Sequence, residues 1–265
     1  MFRARDMIEE RDVVVKVPFG HSLQRPLERE RFRREIEVLG RLDHPHIVRF
    51  LDAGTVGAVS FVVLESLPGG SLRDRLTPAT GARPARRPLI ADVASWLRPI
   101  ADACDFIHAA GVLHRDLKPE NVLFDARERA HVSDFGLAKA IGRDESLTPR
   151  GFAVGTPEYL APEQLRDSPL TGRCDQYALG TILFEAFSGR LPFDRQSLGR
   201  LVWRKGRHDA PSLLDVATGV PRRAALAVDR ALRIDPDARF ETCASLAAEI
   251  VEGESPLSSD SRPER

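Results

Sequence analysis

Residues 114–121 read His114-Arg115-Asp116-Leu117-Lys118-Pro119-Glu120-Asn121, and this stretch decides the fold. It is mostly polar and lies between two apolar segments, Leu113 before it and Val122-Leu123-Phe124 after it, which predict short strands. A polar stretch between two strands predicts a loop. Taken alone, Asp116 could serve only to cap that loop.

A second motif, Asp134-Phe135-Gly136, follows Asp116 by eighteen residues (134 − 116). Alone, this triplet could be a turn with a buried Phe. At this spacing, however, the two motifs resemble the catalytic loop and the metal-binding motif of the eukaryotic-type protein kinases, a family with bacterial members. The resemblance implies that Asp116 accepts a hydrogen bond from the attacking hydroxyl. It also implies that Asn121 and Asp134 ligate Mg²⁺, with Mn²⁺ as a possible substitute.

The resemblance extends to residues that would hold ATP. Lys16 lies inside an apolar run that predicts a strand over 13–17, where a lone buried ammonium would be costly. Glu35, nineteen residues further on (35 − 16), lies on a helix predicted over 26–41. Glu35 would hold Lys16 against the α- and β-phosphates of ATP. The alternative is an edge-strand lysine that points to solvent.

A long irregular segment follows the second motif, and Ala161-Pro162-Glu163 closes it. Together with Gly155-Thr156-Pro157 it resembles the activation segment of Ser/Thr kinases. The resemblance implies that Thr156 bonds Asp116 and Lys118, and that Lys118 reaches the transferred phosphate. Because Lys118 belongs to the Ser/Thr version of the catalytic loop, we expect Ser/Thr rather than Tyr specificity.

Family members with an arginine at the place of Arg115 are commonly controlled by phosphorylation of the activation segment. A phosphate adds negative charge and acceptors that an arginine can pair with. Ser146 and Thr148 are the candidate acceptors, and we favour Thr148. The alternative for Thr148 is a plain surface threonine.

The resemblance also implies roles for residues outside the motifs. Asp175 would clamp the backbone of the catalytic loop, and Arg239 would form a buried ion pair with Glu163. Glu65 and Leu67 would offer backbone groups to adenine at the hinge.

The glycine-rich loop usual in this family is absent from the sequence. Residues 2–6 resemble the strand that follows that loop, so we expect the true start to lie upstream of Met1. The alternative function is therefore a catalytically impaired pseudokinase or binding module. A small-molecule phosphotransferase of related fold is a third possibility, which Ala161-Pro162-Glu163 disfavours.

Composition limits the remaining classes. Lys+Arg and Asp+Glu both number 39, so net charge gives no reason to expect a nucleic-acid partner. The three cysteines form no CxxC, which argues against a disulfide framework or a zinc site. No apolar run approaches the roughly 18 residues of a membrane span, and a cytoplasmic location is the default. Only four lysines occur, namely Lys16, Lys118, Lys139 and Lys205.

The sequence thus predicts an α+β, two-lobed protein-kinase-like fold. Residues 1–66 form a small antiparallel-sheet N-lobe with one major helix, 67–252 a mainly helical C-lobe, and 253–265 a disordered tail. The expected reaction transfers the γ-phosphate of ATP to Ser/Thr hydroxyls of protein substrates, including the chain's own activation segment.

Overall fold

The structure is a computed structural model that describes seven stretches of the chain. These are residues 1–17, 36–57, 59–77, 88–134, 157–166, 168–193 and 197–252.

The N-terminal part is a four-stranded antiparallel sheet with the strand order β1-β2-β4-β3. Its strands are β1 (Phe2–Asp6), β2 (Arg11–Lys16), β3 (Phe50–Val56) and β4 (Val59–Glu65). The β-branched valines of β2 suit a pleated, half-buried surface, and Val13 is buried. β1 lies at the edge of this sheet and is largely exposed.

The rest of the described chain is mainly helical. Its helices are α1 (Leu72–Leu76), α2 (Ile90–Ala109), α3 (Arg173–Ser188), α4 (Leu198–Lys205), α5 (Leu213–Val216), α6 (Arg222–Ala231) and α7 (Cys243–Val251). A small hairpin, β5 (Val122–Phe124) with β6 (Ala130–Val132), follows α2. α3 is buried on nearly every side and packs against α6 and α7, so it forms the centre of this part.

Backbone contacts join the sheet to the helical part. Val48 N–H donates to the carbonyl of Val132 (2.9 Å), and Val132 N–H donates to the carbonyl of His46 (2.8 Å). After β4, Gly69 N–H donates to the carbonyl of Phe124 (2.8 Å). The chain between the sheet and α1 is thereby fixed to the hairpin that follows residues 114–121.

Two predicted strands differ from the structure. Leu113 lies in irregular backbone rather than a strand. The apolar run 47–51 also predicts a strand, but the chain enters a strand only at Phe50. Ile47 makes a single bridge with Val132 instead, because its backbone turns from the sheet towards the hairpin. Of the helix predicted over 26–41, the structure describes only the end, with a helical turn at 36–39 that stops at Gly40.

Across the described residues, no helix combines the length and the apolar character that crossing a membrane requires.

Candidate active site

The polar stretch of the sequence forms a loop whose side chains converge on Asp116. The Lys118 ammonium lies 2.8 Å from Asp116 Oδ2. Asn121 Nδ2 donates to the main-chain oxygen of Asp116 at 2.8 Å and to its Oδ2 at 3.3 Å. Asn121 sits in a 3-10 turn, Pro119–Asn121, and is buried. Lys118 and Asn121, two of the predicted catalytic residues, are therefore both within hydrogen-bonding distance of Asp116.

The Asp175 carboxylate fixes the backbone at the start of this loop. It lies in the first turn of α3, is fully buried, and accepts the backbone N–H groups of His114 (2.9 Å) and Arg115 (2.7 Å). Arg115 has a φ of 64°, a strained conformation for a side chain of this size, and these bonds help to hold it. The structure thus contains the contact that was predicted for Asp175.

Histidines complete the environment of that carboxylate. His108 Nε2 lies 2.7 Å from Asp175 Oδ2. Burial alone would raise the pKa of Asp175, but the hydrogen bonds that the carboxylate accepts from His108 and from the Arg115 N–H outweigh burial and lower that pKa. Burial lowers the pKa of His114, whose Nε2 lies 2.9 Å from the carbonyl of Ser133. A neutral His114 that donates from Nε2 fits this geometry.

The second motif begins opposite the end of β2. The Lys16 ammonium lies 2.9 Å from Asp134 Oδ1, and both side chains stay partly exposed, at 24% and 20%. Asp134 has a φ of 61°, a conformation that non-glycine residues adopt only at a cost. The sequence assigned Glu35 to Lys16, but Glu35 lies outside the described residues. Within them, the partner of Lys16 is Asp134.

A cavity of about 410 Å³ lies between the sheet and the helical part, with Asp134 among its lining residues. Val14, Val48, Leu64 and Leu123 give it apolar walls. Residues 65–67, which include the predicted hinge residues Glu65 and Leu67, also line the cavity. A cavity of this size with apolar walls and a few polar groups is typical of a small-molecule site.

The oxygen ligands present fit a hard divalent cation. Asn121 uses its amide nitrogen to hold Asp116, so its Oδ1 remains as the oxygen that can face a metal. The Asp134 carboxylate offers further oxygens. Carboxylate and amide oxygens are the ligands that Mg²⁺ prefers.

A buried ion pair supports the site from the far side. Arg239 makes two bonds with Glu163, at 2.7 and 2.9 Å, and its side chain is completely buried. The adjacent Gln164 donates to the carbonyl of Arg115 at 2.9 Å. The 3-10 turn Pro162–Leu165 therefore contacts both Arg239, in the C-terminal part of the chain, and the catalytic loop.

One polar network was not predicted. Arg73, in α1, donates from Nε to Glu120 (2.8 Å), from Nη1 to Glu185 (2.7 Å) and from Nη2 to the hydroxyl of Tyr159. Tyr159 in turn donates to Glu185 at 2.5 Å. Burial raises the pKa of Tyr159, and the Glu185 carboxylate raises it further. Since these four residues are far apart in the sequence, no local motif signalled them.

Asp105, His108 and Cys243 also come together, with possible ligand atoms within 4.8 Å of one another. Their other contacts account for this. Asp105 accepts the backbone N–H groups of Cys243 (2.9 Å) and Ala244 (2.8 Å) at the start of α7, and His108 is hydrogen-bonded to Asp175. We therefore assign this group to helix capping and loop support.

Two other predicted residues, Thr148 and Thr156, lie outside the described residues. Arg115 lies within them, and its Nε is buried with no hydrogen-bond partner among the described residues.

Comparison with known proteins identifies the class. The sequence model of the family described as "Protein kinase domain" matches residues 1–251, and the chain belongs to this family. It is 33% identical over 255 residues to the "Serine/threonine-protein kinase PknB" of Mycobacterium leprae, which covers 94% of this chain and 40% of that protein. It is 34% identical over 247 residues to PknH of Mycobacterium tuberculosis, covering 93% and 38%.

Among solved structures, the Mycobacterium tuberculosis PknI kinase domain has a TM-score of 0.69 and 26% identity, covering 91% of this chain and 86% of that one. The two-lobed kinase fold expected from the sequence is therefore confirmed. The chain spans about 40% of the length of the curated relatives named above.

Proposed function

We propose that this chain transfers the γ-phosphate of ATP to Ser/Thr hydroxyls of protein substrates, including its own activation segment. One observation carries the proposal. Lys118 and Asn121 both bond Asp116, while Asp134 pairs with Lys16 beside a cavity of about 410 Å³. The relatives named as serine/threonine-protein kinases support the same reaction class.

In this mechanism Asp116 accepts the hydrogen bond of the acceptor hydroxyl and orients it. Lys118 stays on Asp116 Oδ2 until the phosphoryl group arrives and then bonds that group. Asn121 and Asp134 would hold Mg²⁺ (or Mn²⁺), which when bound neutralises charge on the phosphates. The protein supplies mainly positioning and charge, as this reaction requires.

Lys16 must change partner for ATP to bind as proposed. Its ammonium now neutralises Asp134, and both side chains remain partly exposed. An incoming phosphate would take the ammonium, and the released carboxylate would become free for the metal. This exchange of partners carries no large penalty, because neither the Lys16 ammonium nor the Asp134 carboxylate is left buried and unpaired.

We propose the same division into lobes, the same regulation and the same location that the sequence predicts. We retain 1–66 as the N-lobe and 67–252 as the C-lobe, supported by the change from sheet to helices between Glu65 and Leu72. Control by phosphorylation of Thr148 is supported by Arg115 Nε, which is buried and has no hydrogen-bond partner within the part of the chain that the structure describes. The roles of Glu35 and Thr156, the identity of the metal and a cytoplasmic location rest on the sequence.

The first prediction tests the reaction itself. The chain is incubated with γ-labelled ATP, Mg²⁺ and myelin basic protein, beside Asp116→Asn. Removal of a positioned general base costs about 10²–10⁴-fold in rate, so we expect a loss of that size. The matched control is Asp12→Asn, which alters an aspartate that is 72% exposed.

Equal labelling by the wild type and Asp116→Asn would contradict catalysis by this loop. Nucleotide binding without any transfer by the wild type would favour the binding module instead. Binding is measured separately by titration with a non-hydrolysable ATP analogue.

A further inference from the structure

Lys205 is a completely buried lysine at the end of α4. Its ammonium donates to the carbonyls of Pro157 (3.2 Å), Glu158 (2.6 Å) and Leu160 (2.7 Å). An ammonium has three N–H donors, and three carbonyls of one short segment receive them. The ring faces of Tyr177 and Phe193 lie 5.2 and 5.9 Å away and complete the enclosure.

This chain uses arginine almost wherever it needs a cation. Of its 39 basic residues, four are lysines and 35 (39 − 4) are arginines. Three converging carbonyls fit a compact point charge with three donors, whereas a guanidinium is a planar fork. A buried charge is also expensive unless its hydrogen bonds are all made. The geometry of this enclosure therefore explains why a lysine occupies position 205.

The segment that Lys205 holds, Pro157–Leu160, is tied on its other side to the catalytic loop. Tyr159 joins it to Glu185 and Arg73, and Arg73 also bonds Glu120, four residues after Asp116. Just beyond the segment, Gln164 bonds the carbonyl of Arg115, directly before Asp116. Lys205 thus fixes one side of a segment whose other contacts lead to Arg115 and Glu120, which precede and follow Asp116 in the catalytic loop.

The same segment does not contribute to the nucleotide cavity. No residue of Pro157–Leu160 is among the residues that line that cavity. A shift of the segment should therefore leave ATP binding alone and disturb whatever lies against the catalytic loop. In the proposed reaction that is the hydroxyl-bearing acceptor.

We propose that Lys205 is a positioning residue for the protein acceptor. It anchors Pro157–Leu160 to α4, so that the segment holds the acceptor hydroxyl at Asp116. The inference rests on the proposed kinase function and deepens it by assigning part of acceptor recognition to a residue that touches neither ATP nor the acceptor.

The test separates the two substrates. Steady-state kinetics are measured for the wild type, Lys205→Met, Lys205→Arg and Arg200→Met, with ATP and myelin basic protein varied in turn. Misplacing a positioning group costs up to about 10²-fold, so we expect the KM for the acceptor to rise at least about tenfold in both Lys205 variants. The KM for ATP should change by less than about twofold, and exposed Arg200, on the same helix, should behave as wild type.

Hydrogen exchange at the backbone amides of residues 158–160 provides a readout that does not depend on activity. Exchange should accelerate in Lys205→Met, while exchange around the nucleotide cavity stays unchanged. Unchanged exchange at 158–160, or equal rises in both KM values, would overturn the assignment. If the wild type transfers no phosphate, the kinase proposal fails, but the exchange result still decides whether Lys205 holds the segment.

Discussion

At the scale of single residues, the geometry of the site depends on backbone conformations that buried side chains stabilise. Asp175 accepts two consecutive backbone N–H groups, at His114 and Arg115, and so fixes a strained turn directly before Asp116. A buried carboxylate with such partners is stable only because each of its oxygens is bonded. The order of the catalytic loop therefore originates in α3 rather than in the loop itself.

Gly69 makes a similar contribution without a side chain. Its backbone lies so close to the hairpin that a Cβ would be 2.7 Å from the carbonyl oxygens of both Phe124 and Asp125. Those contacts are backbone, so a neighbouring side chain cannot move aside to relieve them. The close approach is what allows Gly69 N–H to bond the carbonyl of Phe124.

We therefore expect Gly69→Ala to destabilise the protein by about 1–3 kcal/mol through overpacking. Gly199, inside α4, is the matched control, because its Cβ would meet nothing within 4 Å. Gly199→Ala should be neutral or stabilise by up to about 1 kcal/mol. Urea unfolding of the three proteins measures both changes. A Gly69→Ala variant as stable as Gly199→Ala would show that the hairpin and the hinge are not in close contact.

At the scale of elements, long periodic helices were predictable and short ones were not. The apolar periodicity of the sequence predicts helices over 92–110, 175–188 and 243–251, and these match α2 and α3 to within two residues and α7 over its full range. α1 and α5 have four or five residues, too few for a periodic apolar stripe. They depend on serine caps, with Ser71 accepting from Asp74 N–H and Ser212 from Leu214 N–H.

The same reason limits prediction of the site. Asp116, Lys118 and Asn121 lie in one contiguous motif, so their proximity was predictable from the sequence. The Arg73 network joins three helical elements and the loop that contains Tyr159, and the enclosure of Lys205 joins α4 to a segment 45 to 48 residues earlier. Such contacts arise from tertiary packing, and no periodicity or spacing encodes them.

The ion pair between the 3-10 turn and the C-terminal part gives a prediction at this scale. Arg239 also donates to the carbonyls of Arg173 and Arg233, so its loss leaves a buried Glu163 and unpaired backbone groups. We expect Arg239→Met to destabilise by about 3–5 kcal/mol in urea unfolding. Arg223→Met, which breaks an exposed pair with Glu249, should cost less than about 1 kcal/mol.

The double variant Glu163→Met/Arg239→Met distinguishes the cause. If the cost comes from the orphaned carboxylate, removing both charges should restore part of the lost stability. Equal costs for Arg239→Met and Arg223→Met would instead show that burial of the first pair has no energetic consequence.

At the scale of the whole molecule, stability should depend on pH through Lys205. Burial lowers the pKa of Lys205 from 10.5 to about 7, and the carboxylates of Glu158 and Glu163 oppose part of that lowering. Tyr177 on α3 also lies nearby, with the Lys205 ammonium 5.2 Å from the centre of its ring, and burial raises the pKa of the Tyr177 hydroxyl. Because the formal net charge is zero at pH 7, repulsion between like charges does not obscure the contribution of Lys205 to the pH dependence of stability there.

The sign of the effect follows from linkage. Between about pH 7 and 10.5 the unfolded chain keeps a proton on Lys205 that the folded chain has released, so the free energy of unfolding rises with pH. The stability from this group is complete above the unfolded pKa and is lost as pH falls through about 7. Relative to Lys205→Met, the wild type should gain on the order of 2 kcal/mol from pH 6 to pH 9.

Urea unfolding of the wild type, Lys205→Met and Arg200→Met at several pH values from 6 to 9 measures this difference. Arg200→Met should show a constant offset from the wild type, since arginine does not titrate in this range. A constant offset for Lys205→Met as well would mean that the three carbonyls keep Lys205 protonated throughout. In the expected case, the folded chain carries the ammonium, with three N–H donors for Pro157–Leu160, mainly below about pH 7, and a neutral amine with two N–H groups above it.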